Sequence, residues 1–223
     1  MKAVVLLSGG LDSTVCMAVA RDAGFELWPV SFDYNQRHSR ELESACRVAE
    51  HFGVKRHLVI KTNMDSIGGS ALTDQSIAVP EGEVARTDIP PTYVPARNLI
   101  FLSYALGYAE VVGADKIFIG VNSLDYSGYP DCRPEFIGLF QQLANYSTKA
   151  AVQDGRSIVV ETPLINLTKK DIVLLGTKLQ APLFLTQSCY VGGEKACGKC
   201  DSCLLRLKGF SEAKLIDPIE YQG

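Results

Sequence analysis

Several absences bound this sequence of 223 residues before anything in it is interpreted. No apolar run approaches the length of a membrane span. Neither sign of charge dominates: 22 Lys and Arg face 25 Asp and Glu, a net charge of −3. That balance argues against an extended nucleic-acid-binding face, which shows as a basic patch. Histidine is scarce, with only His38, His51 and His57, all distant from the cysteine-rich end of the chain. Internal repeats and low-complexity tracts are missing, and no separate h-region or cleavage site follows Lys2, so a secretory leader is not expected. What is there suits a soluble globular protein. The hydrophobic content is 47% and the mean hydropathy is near zero. A chain of this size can bury a sizeable core as one domain with a small appendage. The division expected is 1–185 for the main domain and 186–223 for a C-terminal segment packed on it.

Strand and helix patterns alternate along the chain. Strand candidates are 2–7, 26–32, 56–60, 116–121 and 157–161; helical patterns lie at 13–23, 39–52, 97–112, 134–153 and 168–179. Such alternation implies βαβ units, hence an α/β fold with a doubly wound, mostly parallel, Rossmann-like sheet. Ligands of such sheets sit at the carboxyl ends of the strands. The stretch from 62 to 95 is rich in Ser, Gly and Pro and long for a connection, which is usual for a functional lid or partner surface.

The first strand runs into Ser8-Gly9-Gly10-Leu11-Asp12-Ser13-Thr14. A strand, a Gly-rich turn and a helix N-terminus make an anion site, because free N–H groups, the helix dipole and the hydroxyls of Ser8, Ser13 and Thr14 converge. Gly9 and Gly10 would allow positive φ and close backbone approach. The turn has no Walker A lysine and no G-x-G-x-x-G spacing. It resembles instead the S-G-G-x-D-S-[ST] pyrophosphate loop of the ATP pyrophosphatases, which split ATP between its α and β phosphates. The plain alternative is an ordinary turn capped by Asp12 or Ser13.

Seven cysteines divide into two groups. Cys16, Cys46 and Cys132 are scattered, and Cys16 and Cys46 fall in helical patterns where a buried free thiol is the ordinary reading. Cys189, Cys197, Cys200 and Cys203 form a C-x7-C-x2-C-x2-C cluster. Tight turns at x2 spacing bring thiolates to one ion, and four of them close a structural zinc site. An iron–sulfur cluster is the second reading, without the usual x3-Cys-Pro continuation; a redox pair is the third. A clustered set of this kind, in place of spread pairs, points to a reducing, cytoplasmic compartment.

Three further segments sit where ligands would lie. Asp33-Tyr34-Asn35-Gln36-Arg37-His38 follows the second strand, at the place of an adenine or ribose. Arg97 and Asn98 open a helix and could meet phosphate or carboxylate. The segment 120–133 combines Asp125, Tyr126, Tyr129, Asp131 and Arg133, ring faces and charges that suit a planar heterocycle bearing a carboxylate. The plain alternatives are a polar loop before a helix start at Ser39, solvated capping at Arg97 and Asn98, and for 120–133 a Gly/Pro turn loop whose polar residues face water.

Taken together, SGGLDST, FDYNQRH, VPARN, SGYPDCRPEF, ETPL and CGKCDSCLLR resemble the 7-cyano-7-deazaguanine synthase family over almost the whole chain. Asn35 and Ala96 stand where that family usually has glycine. The resemblance implies ATP-dependent conversion of 7-carboxy-7-deazaguanine and ammonia to a nitrile, on the route to queuosine, by a homodimer. It implies that Leu7, Ser8, Gly9, Gly10, Leu11, Asp12, Ser13 and Thr14, with Tyr34 and Gln36, hold ATP, with Mg²⁺ on the phosphates. Asp12, Ser13, Arg97 and Arg133 are the candidate catalytic residues, and Asp125, Tyr126, Tyr129, Asp131 and Arg133 the candidate deazapurine contacts. No nucleic acid or membrane partner is expected. Two other classes stay open: a tRNA-thiolating or related tRNA-modifying enzyme on the same loop, and a nucleotide-binding module without turnover.

Overall fold

The computed structural model describes residues 1–37, 39–80, 82, 89–122 and 128–222. Five strands form one sheet in the order β3-β2-β1-β4-β5: β1 (Lys2–Leu6), β2 (Glu26–Asp33), β3 (Leu58–Lys61), β4 (Lys116–Phe118) and β5 (Val159–Glu161). All four pairings are parallel, with Val4 beside Trp28 on one side and Ile117 on the other. The order reverses between β1 and β4, so a crevice opens at the carboxyl end of β1.

Alternation along β1 builds two cores. Val4 and Leu6 face α3 (Arg97–Val112) and α4 (Pro134–Ser147), against Phe101, Leu102, Ala105 and Phe140. Ala3, Val5 and Leu7 face α1 (Leu11–Asp22), α2 (Arg40–His51) and α6 (Lys169–Lys178), against Val15, Val48 and Ile172. Both faces are therefore covered, which is why these strands are near-continuous in apolar residues. The helical pattern after Pro134 is broken at Thr148, whose hydroxyl accepts from the Ala151 N–H and starts a separate turn, α5 (Lys149–Val152). A helix not read from the sequence, α7 (Asp201–Glu212), follows the cysteine cluster and packs on α6. Cys16 is buried as expected, but Cys46 lies on the exposed side of α2. None of the described helices is long and apolar enough to cross a membrane.

The two positions where glycine is usual both have left-handed backbone: Asn35 at φ 55 and Ala96 at φ 54. Asn tolerates that region through its short polar side chain, whereas Ala has a Cβ crowded by the following carbonyl. Ala96→Gly should therefore raise unfolding stability by about 1 kcal/mol, and Asn35→Gly by less. Denaturant midpoints of the two variants check this; a loss of stability in Ala96→Gly would contradict the strain.

Candidate active site

The turn after β1 is shaped by contact with α2. Gly9 has φ +86, and a Cβ there would lie 2.2 Å from the Glu41 carbonyl oxygen and 2.6 Å from the Ala45 nitrogen. Only glycine fits. Gly10 differs from the expectation: its φ is −81, and it is the N-cap of α1 with no side-chain cap of its own. The hydroxyls of Ser8 and Ser13 are 3.0 Å apart, and the Ser13 hydroxyl donates to the Gly10 carbonyl at 3.1 Å. The Ser8 N–H donates to Ser13 Oγ at 3.2 Å. Thr14 does not join them; it is fully buried beneath the turn.

A cavity of about 300 Å³ opens above this turn. Leu7, Ser8, Gly10, Leu11, Asp12 and Ser13 form its floor. Tyr34 and Gln36 from the end of β2, with Arg97 and Tyr129, form further wall. Leu6, Val30, Phe32, Leu72 and Phe101 line an apolar side suited to a flat ring. Gly9 and Thr14 lie behind the surface and do not line it.

The 120–133 segment divides. Tyr129 reaches the cavity, whereas Asp131 and Arg133 do not line it. Asp131 is buried, and its Oδ2 accepts the Asn98 N–H at 2.9 Å while its carbonyl accepts from Asn98 Nδ2 at 3.2 Å. Its carboxylate thus satisfies an orphan donor of the first turn of α3. Arg133 is exposed, as N-cap of α4. Asp125 and Tyr126 lie outside the described residues. Cys132 lines the cavity, its sulfur accepting from Asn98 Nδ2 at 3.2 Å; burial and then Asp131 push its thiol up to about 11. A thiol held neutral this way is a poor nucleophile.

Two charged wall residues were not singled out by sequence reasoning. Lys169 opens α6, where Thr168 and Asp171 form a reciprocal capping box. Its Nζ lies 2.7 Å from Asp12 Oδ2, across 157 residues of sequence. Glu41 enters from the first turn of α2. Burial pushes its carboxyl up to about 7, against the opposing pull of Arg97. For Arg97, burial works against the charged form, but Tyr34, Tyr129 and Glu41 outweigh it and the guanidinium is held cationic. Tyr190 joins this group by a hydrogen bond with Tyr129, its hydroxyl pushed well up by burial.

The four clustered cysteines converge. Their sulfurs all lie within 4.8 Å of one another, every one buried. Cys197 and Cys203 sulfurs are 3.9 Å apart. A tetrahedral ion with Zn–S bonds of about 2.3 Å sets sulfurs about 3.8 Å apart, so the set fits a single ion. A multi-iron cage would hold them wider. Backbone N–H groups of Cys197, Lys199 and Cys200 donate to cluster sulfurs at 3.3–3.4 Å, as suits thiolates.

A family model described as queuosine biosynthesis protein QueC matches residues 2–214. The chain belongs to the QueC family. A curated 7-cyano-7-deazaguanine synthase from Desulfitobacterium hafniense is 60% identical over 99% of this chain and 93% of its own length. Another from Acetivibrio thermocellus is 60% identical over 99% and 97%. Among solved structures, an NMN synthetase from Francisella tularensis superposes with a TM-score of 0.51 at 18% identity, over 88% of this chain and 70% of that one. A predicted tRNA methyltransferase subunit from Methanocaldococcus jannaschii gives 0.50 at 16% identity, over 79% and 74%. These two likenesses concern the fold alone. For this QueC-family chain the fold is thus the doubly wound, parallel α/β sheet expected from the alternation of strands and helices.

Glu41 gives the site a pH signature. Its carboxyl titrates near 7 in the fold and near 4.5 in the unfolded chain, so its contribution to stability is full below pH 4.5 and lost as pH rises through 7. Glu41→Gln removes that loss. Its stability relative to wild type should rise with pH, by about 1–2 kcal/mol at about pH 8 for a half-buried group. Unfolding curves at a series of pH values check this; a gap independent of pH would contradict it.

Proposed function

We propose that this chain is a 7-cyano-7-deazaguanine synthase, converting 7-carboxy-7-deazaguanine and ammonia to the nitrile at the cost of two ATP. The observation that carries the reading is the first turn of α1 on the floor of the cavity, set beside the Asp12–Lys169 pair and an apolar slot. Family membership and the relatives' names support the same activity. A tRNA-modifying role is less well supported, because four cysteines form a closed set and Cys132, the cysteine in the cavity wall, has its thiol pushed up to about 11 by burial.

In this reading the adenine lies among Val30, Phe32, Leu72 and Phe101, with Tyr34 and Gln36 at its rim. The β and γ phosphates lie on Ser8 to Ser13, where backbone N–H groups and the α1 dipole stabilise the departing pyrophosphate. Asp12 Oδ1 is buried and accepts no hydrogen bond among the described residues. That free acceptor fits Mg²⁺, which when bound offsets phosphate charge. Lys169 and Asp12 set one another's position beside the scissile bond.

The 7-carboxylate attacks the α-phosphate, forming an acyl-adenylate and releasing pyrophosphate. Ammonia then displaces AMP to give the amide. The amide oxygen attacks a second ATP, again releasing pyrophosphate, and loss of AMP with the amide protons leaves the nitrile. Arg97 holds the carboxylate, replacing Arg133 in that role, because Arg97 is in the wall and Arg133 is outside it. Tyr129 and Tyr190 offer ring faces and hydroxyls to the heterocycle. Glu41, near neutrality in its titration, can take a proton from incoming ammonium.

The four cysteines hold zinc in a structural role, with no ligand position open for chemistry. The main domain spans 1–185 and the metal-binding segment 186–223. The cytoplasmic placement draws support from seven cysteines with no disulfide between them, and the homodimer from the family resemblance.

Product analysis tests the activity. With substrate, ATP and an ammonium salt, AMP and pyrophosphate should each form at two per nitrile. ADP with inorganic phosphate, or no nucleotide turnover, would overturn the reading. Asp12→Asn should lower AMP formation by at least about a hundredfold with the fold intact. Elemental analysis should find one zinc per chain, and Cys200→Ser should lose both the zinc and several degrees of melting temperature. Iron in place of zinc would contradict the assignment.

A further inference from the structure

The segment around the cysteine cluster does more than close a metal site. Residues just before Cys189 run along the phosphate turn: the Gln187 N–H donates to the Gly9 carbonyl at 2.9 Å. Ser188 Oγ accepts the Leu11 N–H at 3.3 Å. That N–H belongs to the first turn of α1, whose N-cap, Gly10, has no side chain to cap it. Tyr190, on the far side of Cys189, is cavity wall, as are Ser202 and Leu205 of α7. Two turns beyond Cys203, α7 brings Gly209 onto the start of α6. A Cβ at Gly209 would lie 2.8 Å from Lys169 Cβ and 3.1 Å from the Lys169 carbonyl carbon and oxygen. Two of these atoms are backbone, so α6 would have to shift. Arg206 fixes the height of α7: fully buried, it pairs with Asp217 at 2.8 Å and donates to Thr186 Oγ1 at 2.6 Å.

We propose that the four-cysteine module is a positioning element of the nucleotide site, Ser188 setting the first turn of α1 and Gly209 setting Lys169 against Asp12. The inference rests on the proposed ATP site and adds two positioning residues to it. Neither needs to touch a reacting atom. Ser188 ties the metal loop to the phosphate turn, and Gly209 lets the metal-anchored helix approach α6 closely enough to hold Lys169. A Lys169 displaced by a few tenths of an ångström would leave Asp12 and loosen the phosphate grip, an effect on turnover that can far exceed that on stability.

The test uses the full-length, metal-loaded protein and follows pyrophosphate release. Gly209→Ala should lower kcat roughly tenfold or more, with the zinc content unchanged and melting shifted by no more than about 3 °C. In a Lys169→Met background, Gly209→Ala should add less than about twofold, because both act through one group. Ser188→Ala, a mild change that removes only a hydroxyl, should raise the KM for ATP roughly threefold to tenfold, with Ser188→Thr restoring it. Wild-type kinetics in Gly209→Ala, or a Gly209→Ala effect that multiplies with that of Lys169→Met, overturns the proposal. If Gly209→Ala fails to fold, Ser188→Ala decides, and an unchanged ATP KM overturns it. A Lys169→Met variant with normal turnover would instead remove Lys169 from the ATP site, a failure of the functional reading and not of the module's geometry.

Discussion

The carboxyl edge of this sheet is organised around the ion pair between Asp12 and Lys169, 2.7 Å long and only partly open to solvent. It joins the first turn of α1, after β1, to the first turn of α6, after β5. Between these strands lies β4, so the pair spans the point where the strand order reverses. A half-buried pair of this kind contributes little net stability of its own. Breaking it leaves a carboxylate whose other oxygen is already without a hydrogen bond among the described residues. Its value is positional: it fixes the one carboxylate on the turn at the mouth of the helix dipole.

Other parts of the crevice follow from that fixed edge. Gly9 lets α2 pack to van der Waals contact on the turn, and this brings Glu41 into the wall. Asp131 spends its carboxylate on the start of α3, which aims Arg97 inward between Tyr34 and Tyr129. The cysteine module closes the third side through Ser188, Tyr190 and α7. The start of α1 lies on the floor of the cavity, while the start of α3 gives an N–H to an aspartate so that its arginine can be held.

The strand–turn–helix at the end of β1, the alternation of elements and the cysteine cluster were legible because each is local: a strand, a turn and a cysteine spacing are written in consecutive residues. The departures at Asn35 and Ala96 were legible too, and both proved to mark left-handed backbone. Lys169 and Glu41 were not, since each opens a helix with ordinary polar neighbours and acquires meaning only from contacts far along the chain. Arg133 misled for the same reason. Its motif placed it beside Asp131, but the helix start of α4 turns it to solvent while Asp131 turns inward. α7 was missed because the metal spacing in CGKCDSC masked the helical period that begins at Asp201.

The central claim is that ATP is held by its β and γ phosphates on the first turn of α1. A crystal structure of this chain with a non-hydrolysable ATP analogue and Mg²⁺ tests it most directly. The expected result is a triphosphate tail within hydrogen-bond reach of the Ser8 to Ser13 backbone and hydroxyls, with the adenine between Phe32 and Leu72. A triphosphate tail bound instead on Arg97, with the turn after β1 empty, would contradict it.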